Sequence, residues 1–536
     1  MTLTHNPSSL VEQNGRADLQ HRLKFALWDF SRRHPAPGAA IRAVGKVLMG
    51  GADKARRNHY AAALPAVLPD DEYRRDRDVP TQAWLLSPPG HDLDRAGAAM
   101  LLNHLRIPYR TGDLGTAMVH AAVVFVAGYA WADVVQMRNR LNPSTLIVCF
   151  HDDSARVQGA DGIQVWGLAR RLLPHLDGLR SDFAAAVIRG LRDGLQVPLV
   201  TGKFAPLVGL RIDDVEGHGL ETWLPAMLAH GWRPNLGLFI NGFAAGDNPA
   251  TPSLAAHCRD QRCDVSPHAF DAATFLFFDY PWGRPYSRNA FSERWRQAQS
   301  CLARNNLPLS PVLNTHFHVL SRTAADMLAP EGIEYFFSEL ALDGMNPQPD
   351  RGNWPSGDAT LCTGRTDASG IYQLSSGDYI LDVMQPRSNY DFMMHGGEEG
   401  PDKARARIKR RLTLSLDCGF PAYITTHEYF FGAWPDAASH DGLWASVDDD
   451  LSGTGWGNVR KVPLKDIARS AKTARCSKIV AVSTEANALK VTISGAGGDH
   501  LTILGCGRAI TVPAATGLGR QTLEIPLHCL KESSVG

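Results

Sequence analysis

The stretch VGLRIDDVEGHG, residues 208–219, decides how the chain folds. Its first half is a mostly apolar run of strand length. Its second half is a glycine-punctuated loop, so a buried strand ends at Asp213 and Asp214. The same beat continues downstream with a helix over 220–230, a strand over 236–240, FLFFDY at 275–280 as a strand and a helix around 289–305. SPVLN before THFH, GIEYFF at 332–337, DYILDVM at 378–384, the helix KARARIKRRL and the strand AYITTHEY complete it. Strands separated by helices imply a parallel α/β sheet. At this number of units, residues 206–445 are expected to curl into a distorted (β/α) barrel.

Outward from this core the pattern changes twice. Residues 80–205 alternate short strands (82–86, 121–126, 145–150) with helices (95–105, 131–140), as a Rossmann-like or amidotransferase-like α/β domain does. Cys149 sits there within the apolar run STLIVCFHDD, which reads as a buried strand rather than a nucleophile turn. Residues 1–79 form an N-terminal helical and linker arm ending in the mixed-charge DDEYRRDRDVP. From 446 to 536 KVTISG, HLTILG, AITVPA and TLEIPL alternate with glycine-rich turns, the pattern of a small β-sandwich.

Composition narrows the partners. Lys plus Arg and Asp plus Glu are 55 each in 536 residues, so no global field draws the chain to nucleic acid or to an anionic membrane. The apolar window 117–135 is interrupted by His120 and Asp133, and the first twenty residues hold no apolar leader, so a cytoplasmic protein is expected. Nine cysteines without a CxxC pair argue against a disulfide scaffold or zinc ribbon, and Cys258 and Cys263 beside His257 have a spacing unsuited to a metal. The glycines of GTGWG and SGAGGD lack the spacing of a phosphate loop.

In parallel α/β folds chemistry collects at the carboxyl ends of strands. Three such ends carry candidate groups: Asp213-Asp214, His316-Phe317-His318 and His427-Glu428. A carboxylate pair at a strand-to-loop turn allows one to bind a cation and the other to take a proton, or the pair simply caps the next helix and pairs with Arg211. Histidines two apart share a strand face with Cα atoms about 6.5 Å apart, within reach of one ion. His427 beside YFFGAW is either a proton donor or a histidine hydrogen-bonded at a strand end, and Phe431 rules out HExxH. The aromatics Tyr280, Trp282, Tyr286, Trp354, Tyr429 and Trp434 are available to stack on sugars or to pack.

An aspartate pair ending the first barrel strand, histidines ending a middle strand and a histidine ending the last strand resemble the polysaccharide deacetylase (NodB-homology) superfamily over residues 206–445. The family usually shows Asp-Asp-Gly and histidines four apart, whereas Val215 follows the pair here and Leu320 lies four beyond His316. The resemblance implies Asp213 as general base, Asp214, His316 and His318 as ligands of a divalent metal ion, zinc foremost, and His427 as general acid. It implies a hydrolase that removes N-acetyl groups from an amino sugar or polysaccharide. The expected partner is a carbohydrate substrate, with neither nucleic acid nor membrane, and the oligomeric state is left open. Another metal-dependent carbohydrate hydrolase or amidohydrolase, or a non-catalytic carbohydrate-binding protein, are the alternatives.

Overall fold

The computed structural model describes residues 82–527 other than 92–94, 116–120, 152–164, 170–180, 279–285, 317–319, 339–364, 367–371, 376–400, 418–420, 432–435, 454–458, 496–499, 514–518 and shorter stretches. The arm over 1–79 and the strand expected over 378–384 therefore lie outside the described residues. The rest is a mixed α/β protein built on parallel sheets.

The first unit holds β1 (Ala83–Leu86), β2 (Tyr109–Gly112), β3 (Val123–Ala127), α1 (Trp131–Arg138), β4 (Leu146–His151) and β5 (Val165–Ala169). Its strands lie in the order β2-β1-β3-β4-β5, all parallel. Val123 and Phe125 pack into one apolar cluster and Val124 and Val126 into another, so both faces are covered and β1, β3 and β4 read as nearly continuous apolar runs. Cys149 is buried in β4 and its thiol is pushed up to about 12 by burial, as befits a core residue.

After α2 (Ser181–Gly194), β6 (Leu199–Lys203) leaves that sheet and pairs antiparallel with a strand some 300 residues later. The central unit then runs β7 (Leu207–Val215), α3 (Leu220–Ala229), β8 (Asn235–Phe239), α4 (Thr251–Arg259), β9 (Asp264–Ala269), α5 (Arg288–Arg304), β10 (Val312–Leu313), α6 (Arg322–Leu328) and β11 (Tyr335–Ser338). It continues with β12 (Arg365–Thr366), β13 (Tyr372–Ser375), α7 (Pro401–Asp417), β14 (Ala422–His427), α8 (Glu428–Phe431), α9 (Ala437–Ser452), β15 (Arg460–Lys461) and α10 (Leu464–Cys476).

The parallel strands fall into two sheets, β14-β7-β8-β9 and β10-β11-β13 with β12 antiparallel at its edge, and a single parallel bridge, Val265 to Leu309, joins them. Among the described residues no pairing joins their far edges. The strand expected at FLFFDY is not formed over 275–278. Phe275 is irregular and Leu276, Phe277 and Phe278 are bends, their side chains buried, with the Phe277 ring 6.4 Å from Phe291 and 6.3 Å from Trp295. The strand is instead DVSPHA, which has few apolar residues and holds a proline, tolerated because β9 lies at the margin of its sheet.

The boundary expected at 446 falls inside α9. Beyond it β15 pairs with β7, and α10 lies so close on β7 that a Cβ at Gly209 would sit 2.7 Å from Ile467 Cδ1 and 2.8 Å from Leu464 Cδ2. Only then come β16 (Lys478–Glu485), β17 (Ala488–Gly495), β18 (His500–Gly505), β19 (Arg508–Pro513) and β20 (Gly519–Pro526), in three-stranded sheets β16-β17-β20 and β19-β18-β6. Val200 of β6 packs with Val482, Val491 and Ile503, so the C-terminal β unit borrows a strand from before residue 205. No helix among the described residues is long and apolar enough to cross a membrane.

Because α10 is part of the central unit, Leu464→Ala should lower the unfolding free energy by about 2–5 kcal/mol in chemical denaturation. A loss under about 1 kcal/mol would show that the segment beyond 446 is peripheral.

Candidate metal centre

A regular strand points Asp213 and Asp214 to opposite faces. Here the pairing of β7 with β8 skips between Ile212 and Val215, and Asp214 takes a left-handed φ of 56°. This bulge breaks the alternation at the strand end, and aspartate is one of the few residues that takes the left-handed conformation at low cost. Asp214 thereby meets two histidines from other strand ends.

His268, buried at the end of β9, has Nε2 3.2 Å from Asp214 Oδ1. His316, just past β10, has Nδ1 3.0 Å from His268 Nε2 and 3.4 Å from Asp214 Oδ1. Asp214, His268 and His316 thus offer three ligand atoms that all lie within 4.8 Å of one another. Metal bonds of 2.0–2.1 Å in a tetrahedron place ligand atoms about 3.3–3.4 Å apart. The observed edges of 3.0, 3.2 and 3.4 Å fit a divalent ion held by one carboxylate and two imidazoles with a fourth position open.

Protonation agrees with that donor set. The His268 Nδ1–H donates to the Asn314 carbonyl at 2.9 Å, which leaves the Nε2 lone pair facing the cluster. Burial pushes His316 below the usual histidine range against the opposing pull of Asp214, favouring the neutral ring that ligates. Burial raises the Asp214 carboxyl, but the imidazoles of His268, His316 and His427 around it outweigh that and hold the group well below the usual carboxylate range.

Asp213 does a different job. Its Oδ1 accepts from Arg211 Nε at 2.8 Å and from Asn314 Nδ2 at 2.9 Å, and its Oδ2 accepts from Arg211 Nη2 at 2.9 Å. Burial alone would raise this carboxyl, yet the buried Arg211 guanidinium overrides it and holds it below the usual range. Asp213 is therefore ionised, as a proton acceptor must be, and the same ion pair makes it a weak base.

His427 pairs in register with Asp213 across β14 and β7, and its Nε2 lies 3.9 Å from Asp214 Oδ2. Its side chain is 17% exposed, with the Tyr429 ring 5.0 Å away, so it stands at the mouth of the cluster. His318 lies outside the described residues. His268 was not among the residues singled out in the sequence. The available signal was period-two polarity, Asp264, Ser266 and His268, hidden inside a segment that Pro267 disqualified as a strand.

Glu428 clamps the loop that follows Asp214. Its Oε2 accepts from Glu216 N at 2.6 Å and its Oε1 from Gly217 N at 3.0 Å, tying the ends of β14 and β7 together.

No family model matches the chain, and no curated protein does either. Among solved structures, a Mycobacterium smegmatis protein described as a polysaccharide deacetylase is 13% identical, with 52% of this chain and 94% of that one covered at a TM-score of 0.35. A family 4 carbohydrate esterase from Streptomyces lividans in complex with acetate is 13% identical, covering 47% and 90% at 0.27. A CE4 family pseudoenzyme from Bacillus anthracis is 11% identical, covering 49% and 65% at 0.27.

Burial, only partly offset by those backbone N–H groups, pushes Glu428 up to about 7. A carboxyl raised on folding adds stability below its unfolded value and loses it as pH rises through the folded value. Wild type should therefore lose stability relative to Glu428→Gln as pH rises from about 4.5 to 7, measured by denaturation in chelator. Parallel stability curves for the two chains would contradict this.

Proposed function

We propose that this chain is a metal-dependent hydrolase that removes N-acetyl groups from an amino sugar or polysaccharide, its site set on the strand ends of a deacetylase-type (β/α) barrel. One observation carries the reading: a carboxylate and two imidazoles from three separate strand ends converge with the edge lengths of a catalytic zinc site. Asp214, His268 and His316 hold the ion, with zinc as the metal. When bound, such an ion supplies Lewis acidity to a water and to the amide carbonyl.

The chain's own groups divide the remaining work. Asp213, kept ionised by Arg211, takes a proton from the attacking water, and Asn314 and Arg211 fix its direction. His427, partly exposed at the mouth, gives a proton to the departing amine, which leaves poorly without one. Tyr429, the one exposed large aromatic among the described residues, extends from His427 as a surface for a sugar ring. The buried ring of Phe239 packs against both His268 and His316 and keeps water from the rear of the cluster.

The test is acetate release from N-acetylated oligosaccharides by the full chain loaded with zinc. Chelation should abolish it, and His427→Ala should lower kcat by about 10²–10⁴ while zinc content stays at wild-type level. His268→Ala should lose the ion by elemental analysis. Glycan cleavage without acetate would replace the reading with that of another carbohydrate hydrolase, and a zinc-loaded chain inert on every N-acetylated sugar would reduce it to a binding protein.

A further inference from the structure

We infer that Asn314 is a positioning residue that holds Asp213 and His268 in register with each other, and that residue 237 must be glycine to leave room for it. The inference rests on the metal reading of Asp214, His268 and His316. Asn314 is 1% exposed and follows β10 directly. Its two polar ends face the two halves of the site. The backbone carbonyl accepts the His268 Nδ1 proton at 2.9 Å, which fixes the tautomer of that ring. The side-chain amide donates to Asp213 Oδ1 at 2.9 Å and to Asn235 Oδ1 at 3.2 Å.

The orientation of that amide is dictated from both sides. A carboxylate only accepts, so Asp213 must meet the NH₂ end of Asn314. Asn235 is turned in the same sense, because its own Nδ2 donates to Asp264 Oδ1 at 3.1 Å and to Ser266 Oγ at 3.1 Å, presenting its oxygen to Asn314. A polar relay thus runs from Asp264 at the start of β9 through Asn235 and Asn314 to Asp213. Asn314 Oδ1, buried, finds no hydrogen-bond partner among the described residues. Leaving a buried acceptor unmade costs about 1–3 kcal/mol. Packing alone would favour an apolar residue here, so the amide is held for what its other end does.

Gly237 of β8 completes the device. A Cβ there would lie 2.8 Å from Asn314 Nδ2, 3.0 Å from His268 Nδ1 and 3.1 Å from Asn314 Cγ. None of these atoms can yield, since each is pinned by the contacts above. Any side chain at 237 therefore displaces a metal ligand and the residue that orients it.

The experiment measures the zinc dissociation constant of the full chain by competition with a chromophoric chelator, with thermal unfolding recorded alongside. The chains compared are wild type, Asn314→Ala, Gly237→Ala and Thr145→Ala. Thr145 is as buried as Asn314 and donates to the Ala121 carbonyl at 2.7 Å in the first unit, away from the relay, so it reports a merely structural effect. Gly237→Ala, which crowds the His268 ring itself, should weaken zinc binding roughly tenfold to a hundredfold. Asn314→Ala keeps the carbonyl that holds His268 and removes only its tether to Asp213 and Asn235, so it should weaken binding by a smaller factor, roughly fivefold to tenfold, and Thr145→Ala by less than about threefold even if its melting temperature falls as much. Should Gly237→Ala fail to fold, the other two decide. Zinc binding by Asn314→Ala within about threefold of wild type, or an equal loss in Thr145→Ala, overturns the inference while leaving the metal reading in place. A wild-type chain that takes up no zinc removes both.

Discussion

Lone pairs that point at one another inside a protein are tolerated only when a proton or a cation lies between them. At the ends of β7, β9 and β10 a carboxylate oxygen and two imidazole nitrogens stand 3.0–3.4 Å apart in a largely buried space. With Nδ1 of His268 committed to a carbonyl, the other nitrogen of the neutral ring accepts or ligates. Everything else at this end of the molecule either brings those three atoms together or keeps them from moving apart.

The means are local and cheap. One bulge with a left-handed aspartate sends Asp214 toward the histidines, while its neighbour Asp213 is locked by Arg211. A buried ion pair adds little net stability over apolar packing, but removing one partner strands the other and costs about 3–5 kcal/mol. That asymmetry gives Asp213 a fixed charge and a fixed direction. Glu428 then draws the loop after Asp214 toward the strand bearing His427, so two segments 212 residues apart share one mouth.

The first aspartates and the last histidine were legible in the sequence because each ends an apolar run at a turn, and the strands VGLRIDDV and AYITTH form as their patterns imply. DVSPHA was not legible. Its inward residues are polar because they serve the relay and the metal cluster, which inverts the apolar signal by which a buried strand is recognised. FLFF, residues 275–278, misled for the opposite reason, being apolar enough for a strand but buried without strand pairing, with Phe277 against Phe291 and Trp295. The domain limits erred where long-range pairing overrides local pattern: β6 joins β18, and β15 joins β7, contacts that no short window of sequence contains.

X-ray absorption at the zinc edge of the loaded full-length chain tests the central claim most directly. A first shell of two imidazole nitrogens and oxygen ligands at about 2.0–2.1 Å, with one imidazole lost in His268→Ala, is the predicted result. An ion surrounded by oxygen alone, or a spectrum that His268→Ala leaves unchanged, would contradict it.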